Sequence, residues 1–283
     1  GLARSPVFSG ARDCMSEKKL QIALPGAAGK MGQMIASLVA ESSDIEICAA
    51  SEHNESPAIG SIMGGVKINA DAHILGIGSS GVIIDFTRPD ATMRHLDIAL
   101  ASGTAMVVGT TGLTADEEAV LRKAATQIPI VYCANTSVGV TLLGQIVEQI
   151  ARQLDAEWDI EIVETHHNQK IDAPSGTALA LGRAAAKGRD IDLDADKESG
   201  RDGITGARKS GAIGFAALRG GDVAGEHTVT FFGQQERIEI THRATSRVIF
   251  ARGALKAARF AACQKPGLYT MDDVLSASNH ASS

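Results

Sequence analysis

The densest chemistry in the chain lies in one short segment, Glu164-Thr165-His166-His167-Asn168-Gln169-Lys170-Ile171-Asp172-Ala173-Pro174-Ser175-Gly176-Thr177. Imidazole is the side chain suited to giving or taking a proton near neutral pH, and His166 and His167 supply two of them. Lys170 adds a full positive charge within the same few residues. Pro174 and Ser175 are a turn-and-cap signal, so a helix is expected to start near Gly176 and Thr177. Its free N–H groups and the Thr177 hydroxyl suit a carboxylate. The combination points to protonation of an anionic substrate. Blander readings stand beside it. Adjacent histidines at a strand end face opposite sides, so one can be structural, and Lys170 reads equally well as a solvated surface charge. Glu164 or Asp172 could complete a metal site, although the His-His pair lacks the i, i+4 spacing of a zinc-binding helix.

A second cluster opens the chain. The apolar run Leu20–Leu24 leads straight into Pro25-Gly26-Ala27-Ala28-Gly29-Lys30-Met31-Gly32, and a helical stretch follows. A strand, a tight glycine turn and a helix N-terminus form the arrangement that cradles a pyrophosphate. The expected contacts run through Gly26, Ala27, Ala28, Gly29, Lys30 and Met31. The spacing is GxxGxxG, a variant of GxGxxG with Ala28 at the middle glycine; alone, such a loop is often only a sharp turn. Glu52 lies 26 positions after Gly26, where an acid bonds ribose hydroxyls and repels a 2′-phosphate. A solvated loop acid is the alternative. Phe86-Thr87-Arg88 and Gly109-Thr110-Thr111-Gly112 follow later strands, where nucleotides are held, or are turn chemistry alone.

The elements that must position these residues change character midway. Apolar runs at Leu20–Leu24, Ile45–Ala50, Gly81–Phe86, Met106–Val108 and Ile128–Tyr132 alternate with helical stretches at Met31–Glu41, Ala91–Ala101 and Ala115–Ala125. That rhythm predicts parallel βαβ units and a doubly wound, Rossmann-type sheet. After Asn135 come a long helix, Val140–Leu154, and alternating stretches at Trp158–Glu164 and Val229–His242. These predict an α+β part with an open antiparallel or mixed sheet, wet on one face. Asp190–Gly211, rich in charge and glycine, reads as a loop or flap. The expected division is residues 1–14 as a disordered extension, 15–136 for dinucleotide binding and 137–247 for substrate binding, catalysis and oligomerisation. The segment 248–283 is expected to pack back on the first part.

Composition bounds the rest. With 283 residues, 44% hydrophobic and 21% charged, the chain is an ordinary globular one. A net charge of −6 lacks the basic bias of a nucleic-acid binder. No uninterrupted apolar run reaches the ~18 residues of a membrane-crossing helix. Cys14, Cys48, Cys133 and Cys263 show no CxxC spacing, which suggests neither a zinc ribbon nor a disulfide framework and fits a reducing cytoplasm.

Several separated segments together resemble the dihydrodipicolinate reductase family, over nearly everything from Leu20 to Val274. Besides Glu164–Leu179 and Gly26–Gly32, they are Asp85-Phe86-Thr87-Arg88-Pro89, Val108–Gly112, Ala134-Asn135 with Ser137–Val140, and Gly225-Glu226-His227-Thr228. The resemblance implies reduction, by NADH or NADPH, of the cyclic imine 4-hydroxy-tetrahydrodipicolinate to tetrahydrodipicolinate in diaminopimelate and lysine biosynthesis. It implies His166 as proton donor/acceptor, Lys170 as a further proton donor, and His167, Gly176 and Thr177 as substrate contacts. The nucleotide is then held by the glycine loop, Glu52, Arg88, Gly109, Thr110 and Thr111, and by Cys133, Ala134, Asn135 and Thr136; no metal is implied. A cytoplasmic homotetramer joined through the second sheet is also implied. Two positions depart from common family text: His53 stands where many relatives carry arginine, which favours NADH, and Thr136 stands where some carry phenylalanine. Two other functions remain as alternatives. One is an acylating dehydrogenase using Cys133, and the other is a non-enzymatic NAD(H)-sensing protein.

Overall fold

The structure, a computed structural model, describes residues 18–280; the extension expected at 1–14 lies outside them. In chain order the elements begin β1 (Leu20–Pro25), α1 (Lys30–Ala40), β2 (Ile45–Ser51), β3 (Ile62–Met63) and β4 (Val66–Asn69). Next come a 3-10 turn (Ala72–Leu75), β5 (Gly81–Asp85), α2 (Pro89–Ser102), β6 (Ala105–Val108), α3 (Ala115–Ala124) and β7 (Pro129–Tyr132). Then α4 (Val138–Gln153), β8 (Asp159–His166), α5 (Gly176–Arg189), α6 (Leu193–Asp196), β9 (Lys197–Ser199) and β10 (Ile213–Arg219) follow. The chain closes with β11 (Gly225–Phe232), β12 (Arg237–Ala244), α7 (Val248–Ala261), β13 (Gly267–Tyr269) and α8 (Met271–His280). The described residues form two compact units, one of those up to Thr136 with those from Phe250 onward, the other of Ser137–Ile249.

The first unit is an eight-stranded sheet in the order β13-β7-β6-β5-β1-β2-β4-β3, parallel except for the β3–β4 pair. Its strands are apolar throughout because both faces are buried. On β1, Ile22 and Leu24 join Ile35 and Val39 of α1 and Ala254, Leu255 and Ala258 of α7. Ala23, between them, faces the other layer with Ile83, Met106, Leu96 of α2 and Leu121 of α3. The β1 strand has β2 on one side and β5 on the other, so connections run in opposite directions from there. The crevice at such a switch point is where α/β sheets take ligands. The glycine loop leaves the end of β1, and Phe86-Thr87-Arg88 leaves the end of β5. The tail joins this unit from Phe250, within α7. A Cβ on Gly253 would lie 1.7 Å from the Thr136 carbonyl oxygen, so glycine is what lets α7 reach the end of the N-terminal segment.

The second unit has a five-stranded sheet in the order β12-β11-β8-β10-β9. Ile160, Ile162, Phe215, Val229 and Phe231 cover one face and pack on Leu143 and Val147 of α4 and Leu181 and Ala185 of α5. The register carries that face onward: Glu164 lies opposite His227 and Ala217, and His166 opposite Arg219. The chemistry-bearing side chains thus continue the core face past the last apolar residues. The other face is uncovered and exposes Val163, Leu218 and Phe232.

The sheet is mixed because Ile213–Arg219 forms a strand parallel to β8; its Gly-Phe-Ala-Ala core has no polar alternation to betray it. Two sequence expectations for this unit need correction. Val229–His242 divides into a hairpin turning at Gly233–Glu236, with Gln235 at φ +64°. Asp190–Gly211 is not loop alone: it holds α6 and β9, and its arginines are anchored. Arg201 bonds Glu161 and Glu198, and Arg208 bonds Glu161 and Asp159.

Candidate active site

The β8 strand delivers Glu164 and His166 to one face, two residues apart. Glu164 is buried, with its side chain 1% exposed. Its Oε2 lies 2.6 Å from His166 Nδ1. Arg219, from the neighbouring β10, grips both Glu164 oxygens at 2.8 Å, and the Ser175 N–H donates to Oε1 at 3.0 Å. Burial alone would raise the Glu164 carboxyl, but Arg219, His166 and Ser175 together hold it below the usual carboxylate range. An ionised carboxylate therefore sits beside the His166 ring at neutral pH.

Ser175 is the cap of α5. Its hydroxyl accepts from the Ala178 N–H at 3.2 Å and lies 3.1 Å from His227 Nε2. His227 sits edge-on to His166, ring centroids 5.1 Å apart. Burial, with the charge of His166 adding to it, pushes the His227 imidazole down to about 4. His227 is accordingly neutral at pH 7 and serves packing and the Ser175 bond rather than proton transfer. Gly176 and Thr177 occupy the first turn of α5, at the helix end that attracts anions.

The loop after β8 carries the cations. Lys170 Nζ pairs with Asp172 Oδ1 at 2.6 Å, and that ion pair lowers the Asp172 carboxyl. His167 Nε2 lies 3.3 Å from Arg247 Nη2. Loss of solvation, then the charges of Arg247 and His166, push the His167 imidazole down, so it is a neutral hydrogen-bonding group. Backbone bonds from His167 to Val223 and from Asn168 to Gly221 lock this loop onto the turn after β10. His166, His167, Lys170, Gly176 and Thr177 are thus gathered in one unit. Arg219, Arg247 and His227, absent from the sequence-based site, join them. The Arg219-Gly220-Gly221-Asp222 turn was the available signal for Arg219. Nothing local marks Arg247.

The first unit holds the remaining candidates. Gly26 has φ +63°, and a Cβ on Gly32 would lie 2.4 Å from the Ala27 carbonyl oxygen, so both glycines are needed for the turn to close on α1. A cavity of about 300 Å³ opens beside Gly26, Gly29, Lys30, Met31 and Phe86. Glu52 is turned to this loop: Oε1 accepts from the Ala28 N–H at 2.9 Å and Oε2 from the His53 N–H at 3.2 Å. The Glu52 side chain is 9% exposed while that of His53 is 71% exposed. Gly109 donates to the Asp85 carbonyl, Thr110 is buried, and Arg88 and Thr111 are exposed. The Cβ-free cradle, the helix N-terminus and the acid at the end of β2 fit a nicotinamide dinucleotide.

Cys133 and Thr136 lie just beyond β7. Burial pushes the Cys133 thiol up to about 12, and the side chain packs against the core of the first unit. A thiol so reluctant to ionise is a poor nucleophile at neutral pH, which disfavours the acylating dehydrogenase. Thr136 is buried, and its hydroxyl donates to the Phe250 carbonyl at 2.7 Å. Its side chain therefore joins the start of the tail.

Fold and site together define a nicotinamide-dependent oxidoreductase with a Rossmann-type unit and a separate mixed-sheet unit. Residues 20–136 match the family model described as dihydrodipicolinate reductase, N-terminus, and residues 139–275 match its C-terminal counterpart. The chain belongs to the dihydrodipicolinate reductase family. It is 50% identical over 273 residues to the 4-hydroxy-tetrahydrodipicolinate reductase of Rhodopseudomonas palustris strain BisA53, covering 94% of this chain and 99% of that protein. The reductase of the same name from Polynucleobacter necessarius is 46% identical over 90% of this chain and 98% of its own length. Among solved structures, a dipicolinate-bound dihydrodipicolinate reductase from Paenisporosarcina sp. TG-14 shares the fold. Its TM-score is 0.70 at 22% identity, over 89% of this chain and 97% of that one.

Proposed function

We propose that the protein reduces 4-hydroxy-tetrahydrodipicolinate to tetrahydrodipicolinate, on the route to diaminopimelate and lysine. The observation that carries this reading is His166, held by an ionised Glu164 beside the N-terminus of α5. The relatives of the same name support the substrate assignment.

A nicotinamide bound at the glycine loop supplies the hydride. The net change adds that hydride and one proton to the substrate and releases water. One substrate carboxylate rests on Gly176, Thr177 and the positive end of α5, while His167 and Lys170 meet the polar groups around it. Lys170 is drawn off Asp172 as it does so. Loss of the 4-hydroxyl with a neighbouring ring hydrogen, as water, leaves a conjugated ring; when a C–H bond then forms on it, the displaced electron pair moves to the ring nitrogen. The His166 Nε2–H meets it, the N–H bond forms as the imidazolium N–H bond breaks, and solvent restores the proton. Glu164 stays ionised throughout because Arg219 holds both of its oxygens.

Glu52 favours NADH, since a carboxylate there repels a 2′-phosphate and the exposed imidazole of His53 gives such a phosphate no fixed charge. Asn135 and the backbone of Cys133 and Ala134 complete the nucleotide contacts. The uncovered sheet face, with Val163, Leu218 and Phe232 exposed, supports assembly as a homotetramer, and the protein works in the cytoplasm on a free small molecule. The test is a coupled assay in which pyruvate and aspartate semialdehyde generate the substrate and NADH oxidation is followed. Consumption of NADH only when substrate is supplied establishes the activity. Tight NADH binding without consumption would instead make the protein a nucleotide-binding sensor.

A further inference from the structure

Glu164 joins two things that the proposed reaction needs to keep in register. One oxygen takes the His166 ring at Nδ1, 2.6 Å away, and the other takes the Ser175 N–H at 3.0 Å, directly before Gly176 and Thr177. Arg219 closes on both oxygens from the adjacent strand and donates onward to the Asp172 carbonyl at 2.7 Å. The carboxylate can neither rotate away nor become protonated without breaking this set. On the far side of the ring Gly225 passes close: a Cβ there would lie 3.0 Å from His166 Nε2, so a larger residue would crowd that nitrogen.

We propose that Glu164 is the positioning residue of the reaction, fixing His166 with its proton on Nδ1 and tying that ring to the N-terminus of α5 where the substrate is anchored. The inference rests on the reading of His166 as proton donor and deepens it. An imidazole that carries Nδ1–H when neutral presents Nε2 as its exchanging site, so one nitrogen alone delivers and recovers the proton. The partner anion also stabilises the imidazolium that must exist before each turnover, as the carboxylate does in a Ser-His-Asp triad. Because the same carboxylate holds the first turn of α5, the donor and the carboxylate anchor cannot drift apart independently. Arg219 acts one step further out by keeping Glu164 ionised and oriented.

The charged and titratable groups facing His166 are Glu164 on its own strand, Arg219 from β10 and His227 from β11. His167, Lys170 and Asp172 follow in the loop after β8, with Arg247 beyond His167. Glu164 and Asp172 are the acids in this set, and Lys170 already occupies Asp172.

The experiment compares His166→Gln, Glu164→Gln and Arg219→Lys in steady-state kinetics across pH, with NADH affinity measured separately. Glu164→Gln is expected to lower kcat about a hundred-fold or more, as when a catalytic imidazole loses its carboxylate partner. The pH profile of kcat should change as well, because the anion beside the ring is gone. NADH affinity should be unchanged, and Arg219→Lys should fall between wild type and Glu164→Gln. Histidine-labelled wild-type protein gives a second readout. The His166 resonance, identified by its loss in His166→Gln, should report a proton on Nδ1 in the neutral ring. If His166→Gln is inactive while Glu164→Gln keeps kcat and its pH profile within about threefold, the inference falls alone. A neutral ring protonated on Nε2 overturns it equally, even if Glu164→Gln fails to fold. If His166→Gln itself retains full kcat, the donor assignment fails and the inference with it.

Discussion

Asp85 and His95 form a pair inside the first unit, Asp85 Oδ2 lying 2.7 Å from His95 Nδ1 with both side chains withdrawn from solvent. The other oxygen, Oδ1, accepts from the Thr87 N–H at 2.8 Å and its hydroxyl at 2.6 Å, and from the Thr110 hydroxyl at 3.4 Å. One carboxylate at the end of β5 therefore joins the Phe86-Thr87-Arg88 turn to the Gly109-Thr110-Thr111 turn. His95→Leu leaves that carboxylate without its ring partner, and stranding a buried hydrogen-bonding group costs about 1–3 kcal/mol. Urea unfolding should show a loss of this size, together with weaker NADH binding. A loss below about 1 kcal/mol would mean that Thr87 and Thr110 satisfy Asp85 by themselves.

His166→Gln is expected to lower kcat by roughly 10²–10⁴, the usual scale for general acid catalysis, with KM little changed. Lys170→Ala should damage kcat and KM together, since one charge serves bound substrate and transition state alike. Steady-state kinetics that reverse this pattern would move the proton-donor role to Lys170.

Glu52→Ala tests the acid at the end of β2. The side chain also braces the glycine loop through the Ala28 N–H, so both dinucleotides should bind less tightly. NADH should lose about fivefold more than NADPH, the worth of a ~1 kcal/mol hydrogen bond to ribose. Equal losses by titration calorimetry would reduce Glu52 to a brace.

The pH dependence of stability follows from His227. Its folded value, about 4, lies below the free value of 6.5, so the unfolded chain binds the proton first as pH falls. The stabilisation is complete above about pH 6.5 and is lost progressively down to about pH 4. The shift corresponds to about 3 kcal/mol. Urea melts at pH 7 and pH 4 should show His227→Gln losing less stability between the two than wild type does. Parallel losses would place the acid sensitivity elsewhere.

Leu218→Lys probes the open sheet face. The side chain is 56% exposed within the single chain, so the substitution should leave the fold intact and shift the mass measured by light scattering from that of the proposed tetramer towards smaller species. A mass that does not change would remove this face from the assembly.

The alternation of buried strands with amphipathic helices made the first unit readable, because residues such as Ile22, Ala23 and Leu24 are buried on both sides of the sheet and leave an unbroken apolar run. The gathering of His166, His167, Lys170, Gly176 and Thr177 was readable because they are neighbours along the chain. Glu164 was visible only as a possible metal ligand, since its partners Arg219 and Ser175 are 55 and 11 residues away. Strand β10 escaped notice for want of alternation, and with it the register that sets Arg219 opposite His166. The bond that fixes Thr136 was equally hidden, since its partner, the Phe250 carbonyl, is 114 residues away.

The first unit is assembled from the two ends of the chain, and Thr136 and Phe250 are hydrogen-bonded where the second unit departs and returns. Read in the order of synthesis, Ser137–Ile249 leaves the ribosome with its strands and helices all present, whereas the earlier segment must wait for α7 and β13. Until then Ile22 and Leu24 lack the alanine-rich cover of α7, and β7 lacks its outer neighbour β13. The nascent chain is thus expected to mature from the middle outward, its Rossmann-type half remaining a client for chaperones until α7 and β13 have emerged.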